Sequence, residues 1–196
     1  MNENIKNLKG SIEVICGSMF SGKTEELIKR IKKAELDNKK FIVFKPKTDS
    51  RNPKDKIISH RKSEIGAKIV EAPKDIFSYS KNLDVVGIDE AQFFNQDLVD
   101  VCNKLANRGI RVIVSGLDMD YKGSPFGPIP NLMACAEEVT KVHAICVETG
   151  ELANYSYRKN ATNDLILVGE KKEYEPLSRS AFIKKMEKRE KNKNEN

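Results

Sequence analysis

Eight consecutive residues, GSMFSGKT at positions 17–24, fit the pattern G-x-x-x-x-G-K-[ST] without exception. Each fixed position has a chemical reason. Gly17 and Gly22 let the backbone curl so that its N–H groups point at one spot. Lys23 can reach outer phosphates, and Thr24 offers a hydroxyl to magnesium at the positive end of the helix that follows. Gly17, Ser18, Met19, Phe20, Ser21, Gly22, Lys23 and Thr24 are therefore candidate binding residues for the phosphates of ATP. Lys23 is also a catalytic candidate, and Thr24 a Mg2+ ligand.

A second chemical signal is VVGIDEAQFF at positions 85–94, an apolar run that ends in two acids. An acidic residue at the end of such a strand is where a phosphate-loop enzyme holds magnesium, directly or through water, which assigns Asp89. Glu90 is a candidate general base, provided an acceptor hydroxyl comes within hydrogen-bond reach. These residues point to ATP and Mg2+ but name no acceptor. A small-molecule kinase and an ATPase that couples hydrolysis to motion or nucleic-acid binding both remain open.

Positioning these groups needs a sheet. Residues 12–16 are apolar enough for a parallel strand, and Leu27, Ile28, Ile31 and Ala34 recur at helical spacing just after the loop. Further strands are expected at residues 41–44, 85–88 and 110–114, with a helix over 96–108 carrying Leu98, Val101, Cys102 and Leu105 on one face. Strands alternating with helices argue for an α/β fold with a mostly parallel sheet. The polar residues that follow its strands, Lys23, Asp49, Asp89, Glu90 and Asp118, should gather on one rim. A Gly/Pro-rich passage at 116–130 reads as a shaped loop, followed by a short helix around 132–138 and a strand at 142–147. Residues 149–177 are polar and tyrosine-containing, with a strand-like run at 165–168, and read as a flap or hairpin domain.

The 196 residues suit one α/β domain with a small appendage, and no apolar run approaches a membrane span. Of the net charge of +6, residues 171–196 carry nine basic against five acidic groups. The body is thus nearly balanced, which disfavours a nucleic-acid partner, and the end of the chain reads as a solvated, disordered tail. The four cysteines, Cys16, Cys102, Cys135 and Cys146, form no CxxC pair and fit a reducing cytoplasm, with Cys16 and Cys102 expected as small buried hydrophobes.

The order of motifs resembles the cellular, non-herpesvirus type of thymidine kinase over roughly residues 11–182. The resemblance rests on GSMFSGKT, then KPKTDSR at 45–51, ISH at 58–60, IDEAQFF at 88–94, GLDMDYKGSPFG at 116–127 and a late YE pair, Tyr174 and Glu175. It implies a RecA-like P-loop NTPase core over residues 11–141, preceded by a flexible N-terminus at 1–10. A small lasso-bearing domain at 142–182 and the tail at 183–196 complete the expected organisation. It implies phosphate transfer from ATP to the 5'-hydroxyl of thymidine or deoxyuridine, feedback by thymidine triphosphate (dTTP), and a cytoplasmic homotetramer with neither nucleic-acid nor membrane partners. Glu90 matches the family's catalytic carboxylate, with Arg51 and Lys23 steadying the transferred group and Asp49 near the acceptor. His60 matches a recurring Ser-His pair, with a loop-packing role equally open. Met19, Phe93, Leu117, Tyr121 and Phe126 match an apolar slot for the base, and Tyr174 matches a tyrosine of a lasso that orders around the nucleoside.

The small domain departs from that pattern. Relatives of this type hold it with a structural zinc bound by two CxxC pairs. Here the first pair keeps only Cys146, with Thr149 in the second place, and Ser178 and Ala181 occupy the other pair. One thiolate cannot build a tetrahedral structural site, and His143 is not a matched ligand, so no zinc is expected.

Overall fold

The computed structural model describes residues 10–49, 56–59, 63–159 and 173–194. In chain order the elements are β1 (Ser11–Cys16), α1 (Lys23–Leu36), β2 (Phe41–Pro46), β3 (Lys56–Ile58), β4 (Glu64–Gly66), β5 (Lys68–Val70), α2 (Pro73–Tyr79), β6 (Val85–Ile88) and α3 (Asp97–Ala106). They continue with β7 (Arg111–Gly116), α4 (Ile129–Cys135), β8 (Glu138–Lys141), β9 (Ala144–Ile145), β10 (Leu152–Ala153), β11 (Tyr155–Arg158), β12 (Tyr174–Leu177) and α5 (Arg179–Asn194).

Six strands form one parallel sheet in the order β5-β2-β6-β7-β1-β8. Its registers pair Val14 with Val114 and Ile88 with Val114, which brings the carboxyl ends of β1, β6 and β7 level. Successive strand side chains face opposite sides. Ile12, Val14, Val86, Ile88, Val112 and Val114 accordingly join Leu98, Cys102 and Leu105 of α3 and Ile129 and Leu132 of α4 on one face. Ile15, Val43, Val85 and Ile113 pack on the other face against Leu27, Ile28 and Ile31 of α1. Burial on both faces explains why the central strands read as unbroken apolar runs. Smaller antiparallel pairs, β3 with β4, β9 with β10 and β11 with β12, complete the fold.

Cys16 and Cys102 are both buried in the core. Burial, reinforced by the nearby Asp118 carboxylate, pushes the Cys16 thiol up to about 11. No helix among the described residues is long and apolar enough to cross a membrane.

Three expectations are corrected. The short helix starts at Ile129, three residues earlier than expected, because a proline fits the first turn of a helix, where its missing N–H has no partner to lose. The strand expected at 142–147 shrinks to β9, Ala144–Ile145, paired with β10 in a hairpin, and the sheet's edge strand beside β1 comes earlier as β8, the polar EVTK at 138–141. The end of the chain, expected as a disordered tail, forms α5 as far as Asn194. Lys, Glu, Arg and Met are strong helix formers, and Ala181, Phe182 and Met186 anchor the helix on a small apolar cluster. The strand-like run at 165–168 lies outside the described residues.

Candidate active site

The glycine loop begins where β1 ends. Gly17 has φ 142°, and a Cβ there would stand 2.1 Å from the Val142 carbonyl oxygen, so only glycine lets β1 turn away at this point. After Gly22 the chain enters α1 at Lys23. Lys23 is buried, and its Nζ donates to the Ser18 carbonyl at 2.7 Å, which the Ser21 hydroxyl also bonds at 2.7 Å. The Ser18 hydroxyl donates to the Ala153 carbonyl (3.2 Å), and the Met19 N–H donates to Ser156 Oγ (2.9 Å). Phe20 packs on the apolar cluster of the C-terminal hairpins. The loop is thus tied to β10 and β11, elements more than 130 residues away in sequence.

At the carboxyl end of β6, Asp89 donates its backbone N–H to the Phe44 carbonyl at 2.9 Å. Its carboxylate receives the Thr24 hydroxyl at 3.1 Å, which joins the two candidate magnesium ligands. Asp89 is 3% exposed. Burial first, and then the Glu90 charge, push its carboxyl up to about 6, against hydrogen bonds from the Thr24 hydroxyl and the Glu90 N–H. A buried carboxylate raised in this way is a group that a cation would stabilise in its charged form.

Glu90 sits at φ 51°, a left-handed conformation that is costly for a side-chain-bearing residue. A 3-10 turn, Ala91–Phe93, follows it and brings Gln92 back underneath. Gln92 Nε2 donates to Glu90 Oε2 at 2.6 Å, while Gln92 Oε1 accepts the Leu117 N–H at 3.0 Å. Gln92 therefore clamps the candidate base to the loop after β7. Gly127, at φ 56°, permits this approach, since a Cβ there would lie 2.3 Å from the Gln92 carbonyl oxygen. Sequence reasoning missed Gln92, because neither its burial nor its bond to the Leu117 N–H is visible before the chain folds.

The candidate base-binding residues fall into linked groups. Phe93 and Phe126 meet edge to face with centroids 6.0 Å apart. Tyr121 and Tyr174 are both buried and are joined by Arg158, which no motif marked. Its guanidinium lies 3.8 Å from the Tyr121 ring centroid, and its Nε donates to the Tyr174 hydroxyl at 3.2 Å. Leu117 enters through its backbone bond to Gln92, and Met19 through its backbone bond to Ser156. Asp49 is buried just beyond β2, with its N–H turned back on the Pro46 carbonyl at 3.1 Å. Asp118, past the end of β7, pairs with Lys141 at 2.7 Å. Arg51 and His60 lie outside the described residues.

A family model described as thymidine kinase matches residues 10–182. A protein named thymidine kinase from Bacteroides thetaiotaomicron is 52% identical over 176 residues, covering 90% of this chain and 88% of its own. Proteins of the same name from Porphyromonas gingivalis and a Rhodothermus species are each 49% identical, covering 86% and 81% of their own lengths and 90% and 88% of this chain. This chain belongs to the thymidine kinase family. Membership makes it an enzyme of the kinase class.

The zinc site that the family resemblance brings to mind can be tested on its donors. Cys146 is buried, and Thr149, Ser178 and Ala181 stand where partner thiolates would be needed. Thr149 Oγ1 lies 3.3 Å from Ser178 Oγ, Ser178 and Ser180 share a hydroxyl contact at 3.2 Å, and Ala181 is a buried methyl in the same apolar cluster as Cys146. His143 is exposed while Ala144 and Cys146 face inward. One sulfur, neutral hydroxyls and a methyl group do not fit structural zinc. Burial pushes the Cys146 thiol up, but hydrogen bonds from the Thr149 hydroxyl and the N–H groups of Ser178, Thr149 and Glu148 outweigh it and bring the thiol down to about 7.

Proposed function

We propose that the protein transfers the γ-phosphate of ATP to the 5'-hydroxyl of thymidine or deoxyuridine, on a RecA-like P-loop core at residues 11–141 closed by a lasso-bearing unit at 142–182. The Thr24–Asp89 contact at 3.1 Å, at the foot of the glycine loop and one residue from Glu90, carries this reading. It supports the reading because it joins the two candidate metal ligands next to the candidate base in a chain of the thymidine kinase family.

In this reading the N–H groups of residues 17–24 cradle the donor's phosphates. Lys23 leaves the Ser18 carbonyl to reach the outer phosphates, where Arg51 joins it. Thr24 and Asp89 hold Mg2+, Asp89 directly or through water. When bound, that ion offsets charge on the phosphate oxygens. Glu90, oriented by Gln92, takes the proton of the acceptor hydroxyl as its oxygen bonds to the γ-phosphorus and the bond from that phosphorus to the β-phosphate oxygen breaks, releasing ADP. Met19, Phe93, Leu117, Tyr121, Phe126 and Tyr174 hold the base, with Asp49 near the acceptor. The product is thymidine monophosphate for salvage. Thymidine triphosphate acts as feedback inhibitor, and the enzyme works as a homotetramer in the cytoplasm, without zinc and without nucleic-acid or membrane partners.

The test is a phosphate-transfer assay with ATP and Mg2+ against thymidine, deoxyuridine, deoxycytidine and no acceptor. Transfer to the first two is expected. ATP hydrolysis that ignores the nucleoside would reject the kinase reading in favour of a coupled ATPase. Glu90→Gln should lower turnover by about a hundredfold or more with little change in thymidine affinity. Equal losses in both would make Glu90 a structural residue. Metal analysis of purified protein should find far less than one zinc per chain.

A further inference from the structure

Among the described residues Arg158 is the largest fully buried side chain, at 0% exposure. Burying a guanidinium is costly unless its surroundings compensate, so the residues around it indicate what its burial achieves. One face lies over Tyr121, which comes from the Gly/Pro-rich loop after β7. Its Nε reaches the hydroxyl of Tyr174 on β12, and the same ring centroid is 5.6 Å from the guanidinium carbon. Arg158 and Tyr174 are register partners across the β11–β12 pair, so their backbones are already aligned. The loop bearing Tyr121 braces itself separately, through Asp120 Oδ1, which accepts the N–H groups of Lys122 (2.8 Å) and Ser124 (3.0 Å). The Arg158 carbonyl, in turn, is gripped by Arg189 of α5.

We propose that Arg158 is a positioning residue for the nucleoside slot, setting Tyr121 and Tyr174 at a fixed separation and angle before the acceptor arrives. This inference rests on the acceptor reading given above. Its chemistry requires arginine. A planar guanidinium stacks on one ring while it donates in its own plane to the hydroxyl of the other, and an ammonium cannot do both. The two tyrosines belong to segments that are not strand partners, and Arg158 touches both; Met119 and Gly123 of the Tyr121 loop pack separately against the cluster around Tyr155 and Phe182. From β11 the glycine loop is reached through Ser156, two residues away from Arg158, so the donor site should not register the loss of Arg158.

The experiment compares steady-state kinetics of the wild-type chain with Arg158→Met, Arg158→Lys and Tyr174→Phe. Arg158→Met keeps the buried stem but removes the stack and the donor. It should raise the KM for thymidine about tenfold or more, with kcat within about threefold and the KM for ATP within about twofold of wild type. Arg158→Lys, which restores charge without the planar fork, should recover only part of the loss. Tyr174→Phe should raise the thymidine KM about threefold alone and add little in the Arg158→Met background, because the two changes break one contact. An unchanged thymidine KM in folded Arg158→Met, or an equal rise in both KM values, would overturn the role. Where Arg158→Met yields too little folded protein, Tyr174→Phe decides the matter alone, since it removes one hydroxyl. A thymidine KM that does not move would then overturn the proposal. Wild-type protein that transfers no phosphate to thymidine would instead overturn the acceptor reading itself.

Discussion

The parallel sheet and the C-terminal hairpin region solve the same problem in different ways. In the sheet, the candidate site residues sit at strand ends: Gly17 after β1, Asp49 after β2, Asp89 after β6 and Asp118 after β7. Their spacing is a consequence of backbone register, and they stand on a core whose larger cluster holds nineteen buried residues among those described. In the hairpin region the strands are two to four residues long and the cluster beneath them holds seven. Positions there depend on single side chains, such as Arg158 between two tyrosines and Ser156 beneath Met19. A change in the sheet can therefore remove chemistry and leave the fold intact, whereas a change in the hairpin region alters geometry and stability together.

The sharpest break on the sheet side is Lys23→Ala. The ammonium is held by the Ser18 carbonyl at one end of a helix that Leu27, Ile28 and Ile31 already anchor. Turnover should fall about a thousandfold, while the melting temperature shifts by less than about 4 °C. Kinetics and thermal unfolding of the same preparation check both halves. A melting temperature that fell in step with activity would show that the loop is part of the core's support.

The matching break in the hairpin region is Phe182→Ala. The Phe182 ring stacks on Tyr155 at 4.4 Å between centroids and meets Tyr157 edge on, so its removal empties the centre of a small cluster. A cost of about 3 kcal/mol is expected. Hydrogen exchange should show it as lost protection in β9 to β12 and α5, with β1, β6 and β7 unchanged. Uniform loss across both regions would mean that they unfold as one unit and that the contrast drawn here is only geometric.

The same contrast decides what could be read from the sequence. The runs at 12–16, 41–44, 85–88 and 110–114 were legible because strands covered on both faces need uninterrupted apolar residues. Lys23, Asp49, Asp89, Glu90 and Asp118 can be expected at one rim because their spacing relative to strand ends is local. β8 was not legible, since an edge strand with exposed Glu138, Val139 and Lys141 satisfies its backbone without an apolar pattern. α5 was missed because only its first turns touch an apolar cluster. Gln92, Ser156 and Arg158 escaped notice for a deeper reason. Each acts across at least sixteen residues of chain, through contacts that exist only after folding.

A smaller effect tests the sheet's charged flank. Glu13 on β1 is paired with Arg111 of β7 and Arg30 of α1, and Arg30 also reaches Glu138 of β8 at 2.9 Å. Burial raises the Glu13 carboxyl, but hydrogen bonds and charge from the two arginines outweigh it and hold it below its ordinary 4.5. A carboxylate depressed in the fold contributes stability that is complete above pH 4.5 and is lost as pH falls through the lower folded value. Glu13→Gln should cost about 2 kcal/mol near neutral pH. The gap from wild type should close as pH drops below 4.5, a trend that denaturant melts at several pH values can follow. A gap independent of pH would assign the loss to packing.

The smallest effect belongs to Cys146, and it asks how the hairpin region is held around a single buried sulfur. With the thiol brought down to about 7 from 9.0, the fold favours the thiolate, so the stabilisation is complete above pH 9.0 and fades as pH falls through 7. The hydroxyl of Thr149 and the backbone at Glu148 that support the charge belong to exposed residues, so solvent screens the contribution to less than about 1 kcal/mol. Cys146→Ala should therefore leave a stability gap from wild type that widens between pH 7 and 9, with a zinc chelator changing neither curve. A gap that stays flat over that range would mean that the sulfur remains a thiol and contributes through apolar contact within the cluster that holds Ala181 and Phe182.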